Sequence, residues 1–356
     1  MKLKKLAEAT MWLPGLAPDD LLHVVPCFTQ TAEIIAFPLV DQAQVSAPVN
    51  EDGAQDLSIV VPTTIHASKP SRTLWHNLDP VLHSKLRGDV TKFDANMAAV
   101  SLLHSLEADN RSPTDEERDV LNCYTGWGGI PKAFNPDQDE PAWKARAESM
   151  PEILGEDYES AKGSVVNAHF TEVFVIEAIW DAVRRLGFRG GRVLEPSAGV
   201  GYFIGAMPKD LAEASEVTAI EIDRVSSRIL SRLYGHHGVR TMAVGFEKAR
   251  LPKDWFDLVI SNVPFGNYQV PDDRNLPYAN FFIHDYFFGR ALEVTRPGGL
   301  VAFITSAGTL DKWDDQARRY ISANAKFVGA IRLPSGTFSH LANTEVTTDK
   351  IGRAHV

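Results

Sequence analysis

The sequence lacks the features that mark secreted, membrane-spanning and metal-stabilised proteins. Cys27 and Cys123 are its only cysteines, too few for a disulfide framework, and neither has a partner at zinc-ligand spacing. The basic opening residues could begin a signal peptide, but Glu8 interrupts the next stretch and no apolar run follows. No apolar segment reaches the roughly 18 residues that a transmembrane helix needs. These absences predict a cytoplasmic protein.

Positive charge is also in short supply. The formal net charge is −10, with 46 acidic and 36 basic residues, which argues against a protein that coats nucleic acid by charge alone. Small basic groups, such as Arg184 with Arg185 and Lys248 with Arg250, are typical of solvated helix and loop faces. A nucleic-acid enzyme with a local basic surface remains compatible with this balance.

The chain divides into regions of different character. Its 44% hydrophobic and 23% charged residues are typical of globular proteins, and its length allows two compact domains or one large domain with extensions. Residues 1–90 contain no periodicity or repeat, and we predict a poorly defined N-terminal region that includes a linker. Residues 91–163 have helical character, whereas residues 164–350 alternate between helix and strand patterns. We therefore predict a helical prefix followed by an α/β domain.

Helix signals support the prefix. Apolar residues recur at spacings of three and four, which predicts an amphipathic helix through Phe93, Met97, Val100, Leu103 and Leu106. Thr114 and Glu117 form a capping-box pattern that opens a second helix. Glycines then surround Trp127, which is typical of a tight turn with the indole packed as an anchor.

Short apolar runs separated by helical patterns fill the α/β region. The runs are GRVLEPS, VTAIEID, FDLVISN, GLVAFITS and KFVGAIRL. Strands that alternate with helices predict a doubly wound, mostly parallel sheet of the Rossmann-like kind. Ligands bind such sheets beyond the carboxyl ends of the strands, so residues that follow these runs are the first candidates for a site.

A glycine pair follows the first predicted strand. Gly199 and Gly201 let the backbone turn sharply and approach a ligand closely. A nicotinamide enzyme would have a third glycine where this chain has Ile204, which weakens the dinucleotide interpretation. Glu195 and Pro196 precede the glycines, and the Glu195 carboxylate suits a ligand with a cationic amino group better than a diphosphate.

Two acids follow the second predicted strand. Glu221 stands at the tip of the apolar run, where a carboxylate can accept hydrogen bonds from both hydroxyls of a ribose. Asp223 fits better as the cap of the next helix. Together with the glycine pair, Glu221 predicts a nucleoside site.

The run Asn262-Val263-Pro264-Phe265 after the FDLVISN strand is the most specific feature of the chain. An amine on an aromatic ring is a poor nucleophile because its lone pair is delocalised. The Asn262 side-chain oxygen and the Val263 carbonyl can accept its hydrogens and stabilise the positive charge that develops during methyl transfer. The proline holds Val263 extended, and the Phe265 ring offers a face on which a planar base can stack.

This run resembles the Asn/Asp-Pro-Pro-Phe/Tyr signature of nucleic-acid amino-methyltransferases, with Val263 in place of the first proline. The resemblance implies S-adenosyl-L-methionine as cofactor and a methyltransferase domain over residues 164–350. The segment 167–171 resembles the element that lines the methionine end of the cofactor, which implies cofactor contacts for Phe170 and Thr171. By the same analogy Phe246 packs against the cofactor adenine and Glu247 accepts a hydrogen bond from its amino group.

Several motifs in order resemble a narrower family, the large methyltransferase–helicase proteins of phages and mobile plasmids, some of them antirestriction proteins. These are the helical prefix with YTGWGGIPKAF, then NAHFT, EPSAG and NVPFG, over residues 92–350. The resemblance implies methylation of the adenine amino group in DNA with the base flipped out of the helix. It also implies a helicase region that follows the methyltransferase and is absent from this sequence.

Other functions remain open on the residues alone. The same Asn-x-Pro-aromatic arrangement serves the amino group of cytosine, RNA bases or a protein glutamine amide. A function of another class is a non-catalytic DNA-binding or antirestriction module that keeps the methyltransferase fold. The intact Glu195, glycine pair, Glu221, Asn262 and Phe265 favour an enzyme.

The last residues suggest an interrupted chain. The segment after Thr344 leads toward a further strand, which the resembled fold inserts between the GLVAFITS and KFVGAIRL strands. Residues 351–356, IGRAHV, match a translated sequencing adapter, so we predict an artefact there and a strand that has lost most of its length. The alternative is a natural terminus with a frayed tail.

Overall fold

The computed structural model describes residues 33–34, 78–165, 170–333 and 348–355, and its framework is one eight-stranded sheet. The strands are β1 (Glu33–Ile34), β2 (Gly191–Glu195), β3 (Ser215–Ile220), β4 (Arg240–Met242), β5 (Phe256–Asn262), β6 (Thr295–Ser306), β7 (Ala325–Arg332) and β8 (Thr348–His355). Their order across the sheet is β1-β7-β8-β6-β5-β2-β3-β4.

Five neighbouring strands, from β6 to β4 in this order, pair in parallel. The chain builds outward from β2 in both directions, so the strand order reverses between β2 and β5. This is the switch point at which open parallel sheets bind ligands. The predicted doubly wound, mostly parallel sheet is confirmed, and all five predicted strands are present.

Helices cover both faces of the sheet. They are α1 (Pro80–Ser84), α2 (Asp89–Ala108), α3 (Asp115–Asn122), α4 (Pro141–Leu154), α5 (Tyr158–Ser164), α6 (Val173–Arg185), α7 (Tyr202–Gly205), α8 (Lys209–Glu213), α9 (Arg224–Tyr234), α10 (Ile283–Val294), α11 (Gly308–Asp311) and α12 (Gln316–Asn324). None of the helices in the described ranges is long and apolar enough to cross a membrane.

The helical prefix packs as its sequence pattern predicts. The apolar stripe of α2 is buried through Phe93, Val100 and neighbouring residues. Thr114 caps helix α3, and its side chain accepts a hydrogen bond from the Glu117 N–H in a complete capping box. Trp127 is fully buried after Gly126, which has a φ of 65°, and this arrangement confirms the predicted turn with an indole anchor.

The core lies on the two faces of the sheet. Successive residues of β2 point to opposite faces, so Val193 belongs to the cluster that packs against the prefix, α6 and α9, whereas Leu194 belongs to the other cluster. In β5, Leu258 and Val259 divide in the same way. The second cluster packs against α10 and α12.

The end of the sheet differs from the sequence-based expectation. Strand β8 lies between β6 and β7 and pairs antiparallel with both, from Thr348 opposite Ser306 to His355 opposite Ala325. The expectation that this strand has lost most of its length is therefore wrong, because residues 348–355 supply it. An origin of residues 351–356 in a sequencing adapter stays a prediction. Apart from β1 and residues 78–90, the predicted N-terminal region lies outside the described residues.

Candidate active site

A cavity of about 510 Å³ opens at the carboxyl ends of β2, β3 and β5. This volume is within the range of about 300–1,000 Å³ that is usual for small-molecule sites. Twelve of the thirteen predicted site residues line it, namely Phe170, Thr171, Glu195, Pro196, Gly199, Glu221, Phe246, Glu247, Asn262, Val263, Pro264 and Phe265. The strand ends therefore bring together residues that are up to 95 positions apart in the sequence, since the set runs from Phe170 to Phe265.

The two glycines after β2 have different tasks. Gly199 has a φ of 55° and lines the cavity, and a Cβ there would lie 3.3 Å from the Phe170 ring. Gly201 has a φ of 93° and does not line the cavity. A Cβ at Gly201 would lie 2.6 Å from Leu230 and 2.8 Å from Tyr234 of α9. Gly201 thus differs from the predicted cofactor-binding role. Its lack of a side chain allows α9 to pack closely against the turn after β2.

Glu195 places a carboxyl group in the floor of the cavity. Its side chain is 2% exposed, and its Oε2 atom has no hydrogen-bond partner among the residues that the structure describes. Burial, together with the nearby Glu221 carboxylate, raises the pKa of Glu195 well above its usual range. A buried acceptor without a donor is costly, so this carboxyl group favours a ligand that brings a donor or a positive charge.

Glu221 lies at the end of β3 and is held by the backbone. Its two carboxylate oxygens accept hydrogen bonds from the N–H groups of Gly199 and Asp223, both at 2.7 Å. Burial, reinforced by repulsion from Asp223, raises the pKa of Glu221 to about 7. Asp223 itself accepts a hydrogen bond from the Ser226 N–H at 2.8 Å, which confirms its predicted role as the cap of α9.

The polar end of the Asn262-Val263-Pro264-Phe265 run is held by two elements. The Asn262 Nδ2 group donates a hydrogen bond to the Thr171 Oγ1 atom at 3.0 Å. This bond turns the Asn262 side-chain oxygen away from Thr171. The Val263 N–H donates to the Ile304 carbonyl of β6 at 3.1 Å, so the backbone that carries the Val263 carbonyl continues the sheet.

Aromatic side chains form the other walls. The half-buried Phe265 packs against both core clusters, whereas Phe246 is 2% exposed and its ring lies 5.1 Å from that of Phe287. The Glu247 carboxylate folds back over Gly245, where a Cβ would lie 2.3 Å from it. The cavity therefore offers apolar faces between its carboxylates and the Asn262 amide.

Several lining residues carried no recognised signal in the sequence. Tyr202 lies with its ring 4.9 Å from that of Phe170, and its hydroxyl donates to the Asn122 carbonyl at 3.1 Å. Ser160 of α5 also lines the cavity, and its hydroxyl donates to Asp223 at 2.9 Å. These contacts join the prefix to the sheet, and only the fold reveals them.

Comparison with known proteins gives one clear relative in sequence. No family model matches the chain. The chain is 30% identical over 269 residues, 75% of its length, to the Defense against restriction protein B of Escherichia phage P1. The chain spans 10% of the length of that protein. This match confirms the predicted resemblance to phage antirestriction proteins. The resemblance concerns only a small part of that relative.

Solved structures give more distant likenesses. One is a protein from Listeria monocytogenes provisionally described as a class I S-adenosylmethionine-dependent methyltransferase, at 16% identity and a TM-score of 0.45 over 74% of this chain and 88% of that one. Another is a component of a type I restriction–modification system, at 15% identity and a TM-score of 0.43 over 78% and 72% of the two chains. Scores in this range do not support a functional assignment.

Proposed function

We propose that this chain is the catalytic part of an S-adenosyl-L-methionine-dependent DNA methyltransferase that modifies the exocyclic amino group of adenine. One observation carries the proposal: a single cavity is lined both by two buried acidic side chains, Glu195 and Glu221, and by the Asn262-Val263-Pro264-Phe265 run. The first set suits a nucleoside with an amino acid attached, and the second suits a planar base that carries an amine. A methyl donor and its acceptor would then meet in the middle.

The residues of the cavity fit this cofactor. The Glu195 Oε2 atom, buried and without a partner in the described ranges, suits the ammonium of the methionine moiety. Glu221 suits the ribose hydroxyls, and Phe246 and Glu247 suit the adenine ring and its amino group. Phe170 and Thr171 line the same space. When bound, S-adenosyl-L-methionine supplies a methyl group activated by its sulfonium charge.

The protein prepares the acceptor amine. The Asn262 side-chain oxygen and the Val263 carbonyl accept its two hydrogens, which favours a tetrahedral nitrogen with an available lone pair. The same two oxygens stabilise the positive charge that grows on nitrogen as the methyl group arrives. Because Thr171 and β6 hold both groups before the base enters, little reorganisation accompanies the reaction. Phe265 provides the stacking face.

The relative supports the choice of DNA as substrate, and the geometry supports a flipped base. An adenine amino group inside a duplex cannot reach a cavity between strand ends, so the base must be flipped out. The relative is a phage protein named for defense against restriction, which supports a role in modifying DNA that restriction enzymes would cut. We propose the domain boundaries given above, with residues 164–350 as the methyltransferase domain and a helicase region elsewhere in the complete protein.

Tritiated methyl transfer tests the proposal. The protein is incubated with labelled S-adenosyl-L-methionine and separately with DNA, RNA and a protein mixture, and the modified DNA is digested to nucleosides. Label in N6-methyladenine from DNA, lost with Asn262→Ala, supports the proposal. Label in cytosine, RNA or protein assigns the site to another amine. DNA binding without transfer, in protein that binds the cofactor, identifies a non-catalytic module instead.

A further inference from the structure

Three exposed aromatic side chains lie in the loops that follow the carboxyl ends of β5 and β6, and we call them the aromatic rim. They are Tyr268, Phe282 and Trp313, with exposed fractions of 38%, 39% and 102%. Tyr268 also lines the cavity. Large apolar side chains exposed together mark interaction surfaces more often than single ones do.

The topology places the rim at the carboxyl edge of the sheet. Phe282 immediately precedes α10, and Trp313 follows α11, which begins two residues after the end of β6. An isolated bridge between Gln269 and Phe282, and a hydrogen bond from the Ile283 N–H to the Tyr268 carbonyl at 2.8 Å, join the two loops. The rim therefore lies on the same side of the sheet as Phe265 and the acceptor end of the cavity.

Trp313 is held outward by its neighbours in the chain. The Lys312 ammonium is hydrogen-bonded to Asp285, which is fully buried, and it lies 5.4 Å from the centre of the Phe282 ring. On the other side, Asp314 accepts a hydrogen bond from the Gln316 N–H at 3.0 Å. Lys312 thus anchors one flank of Trp313 to the buried Asp285, and the indole is fully exposed to water.

The chemistry of the rim fits bases better than phosphates. Trp313 is followed by Asp314 and Asp315, and Lys312 is already committed to Asp285. This segment therefore offers little attraction for the charged backbone. Nucleobases present flat, uncharged faces that stack on aromatic rings in any sequence. A base leaving a duplex also exposes the faces of its neighbours, which then need a new partner.

We infer that the aromatic rim, with Trp313 as its main contact, stacks on the DNA bases next to the flipped target base. This inference rests on the proposed function and adds a second contact surface to it. The rim compensates for the stacking that the duplex loses when the target base enters the cavity.

Trp313→Ala tests the inference, with Trp255→Ala as the matched control. Trp255 is 45% exposed but precedes β5 at the amino edge, where the Arg192 guanidinium lies 3.9 Å from its ring. Trp313→Ala should weaken binding of a fluorescein-labelled DNA duplex roughly 5- to 100-fold, and Trp255→Ala should leave it unchanged. Trp313→Tyr should retain most binding, whereas Trp313→Leu, apolar without a ring face, should not.

Four further measurements separate the outcomes. Thermal melting and calorimetric affinity for S-adenosyl-L-methionine should be equal in wild type and Trp313→Ala, because the indole contacts neither core nor cofactor. If the wild-type protein methylates DNA and Trp313→Ala binds DNA with the same affinity as wild type, the inference about the aromatic rim is wrong and the proposed function stands. If Trp313→Ala loses self-association but keeps its affinity for DNA, the aromatic rim contacts a second copy of the protein and the inference of a DNA contact is wrong. Wild-type protein without transfer to DNA overturns the proposed function first, and the rim with it.

Discussion

Replacing Glu221 by glutamine should remove most of the pH dependence of S-adenosyl-L-methionine binding. The wild-type carboxyl group has a pKa raised to about 7 by burial and by the nearby Asp223. Only the ionised form accepts hydrogen bonds at full strength from both ribose hydroxyls. The fraction of protein molecules in which Glu221 is ionised grows with pH, and only these molecules bind the cofactor tightly.

The expected size follows from that pKa. About a tenth of Glu221 is ionised at pH 6 and about nine-tenths at pH 8, so the apparent affinity of the wild type should rise about tenfold between them. Glu221→Gln should bind about 1–3 kcal/mol more weakly at pH 8 and should show a nearly flat profile. Isothermal calorimetry at a series of pH values measures both.

The stability of the ligand-free protein should change in the opposite sense. A folded-state pKa of about 7, against 4.5 in the unfolded chain, stabilises the fold below pH 4.5, and this contribution is lost as the pH rises through 7. The melting temperature should therefore fall more steeply between pH 5 and pH 8 in wild type than in Glu221→Gln. Glu213→Gln, on the exposed end of α8, serves as the control. An unchanged affinity slope in Glu221→Gln would refute the assigned role.

Variants at four other positions test separate parts of the site. Asn262→Ala should slow methyl transfer by about a hundredfold or more with cofactor affinity retained, and near-normal transfer by this variant contradicts the mechanism. Thr171→Val, which removes the hydrogen-bond partner of the Asn262 amide, should slow methyl transfer less. Phe265→Ala should lower kcat/KM for DNA by the equivalent of about 1–3 kcal/mol, whereas Phe265→Tyr should keep the wild-type value. Steady-state kinetics measures both. Equal activity of Phe265→Ala and wild type would make the ring a core residue. Gly201→Ala should lower the free energy of unfolding by about 1–3 kcal/mol, because its methyl group would lie 2.6 Å from Leu230; an unchanged denaturation midpoint would argue against the packing role.

Much of the fold could be predicted because its signals are local. Each central strand is a short apolar run, and the runs of β2, β3 and β5 end in residues that line the cavity, so the switch-point rule alone brings Glu195, Glu221 and Asn262 together. Strand β4 was not predicted because its three residues, Arg240–Met242, are partly exposed and form no apolar run.

The features of the site that could not be predicted from the sequence depend on contacts between distant segments. Thr171 and Asn262 are 91 positions apart, and their hydrogen bond exists only after the sheet forms. Gly201 and Gly199 look alike in sequence, yet one faces α9 and the other the cavity. The contribution of Ser160 to the cavity also requires α5 to lie against the start of α9. No local pattern distinguishes these cases.

The position of β8 has a consequence for how the protein is made. Strands β6 and β7 are consecutive in the chain, but they do not pair with each other, because β8 lies between them. During synthesis β7 therefore emerges with no partner strand on that side until β8 has been added. Strand β1 depends on the same event, since β7 is its one neighbour among the residues that the structure describes. One half of the sheet can form as it leaves the ribosome, while this edge must wait and stays open to mispairing in the interval.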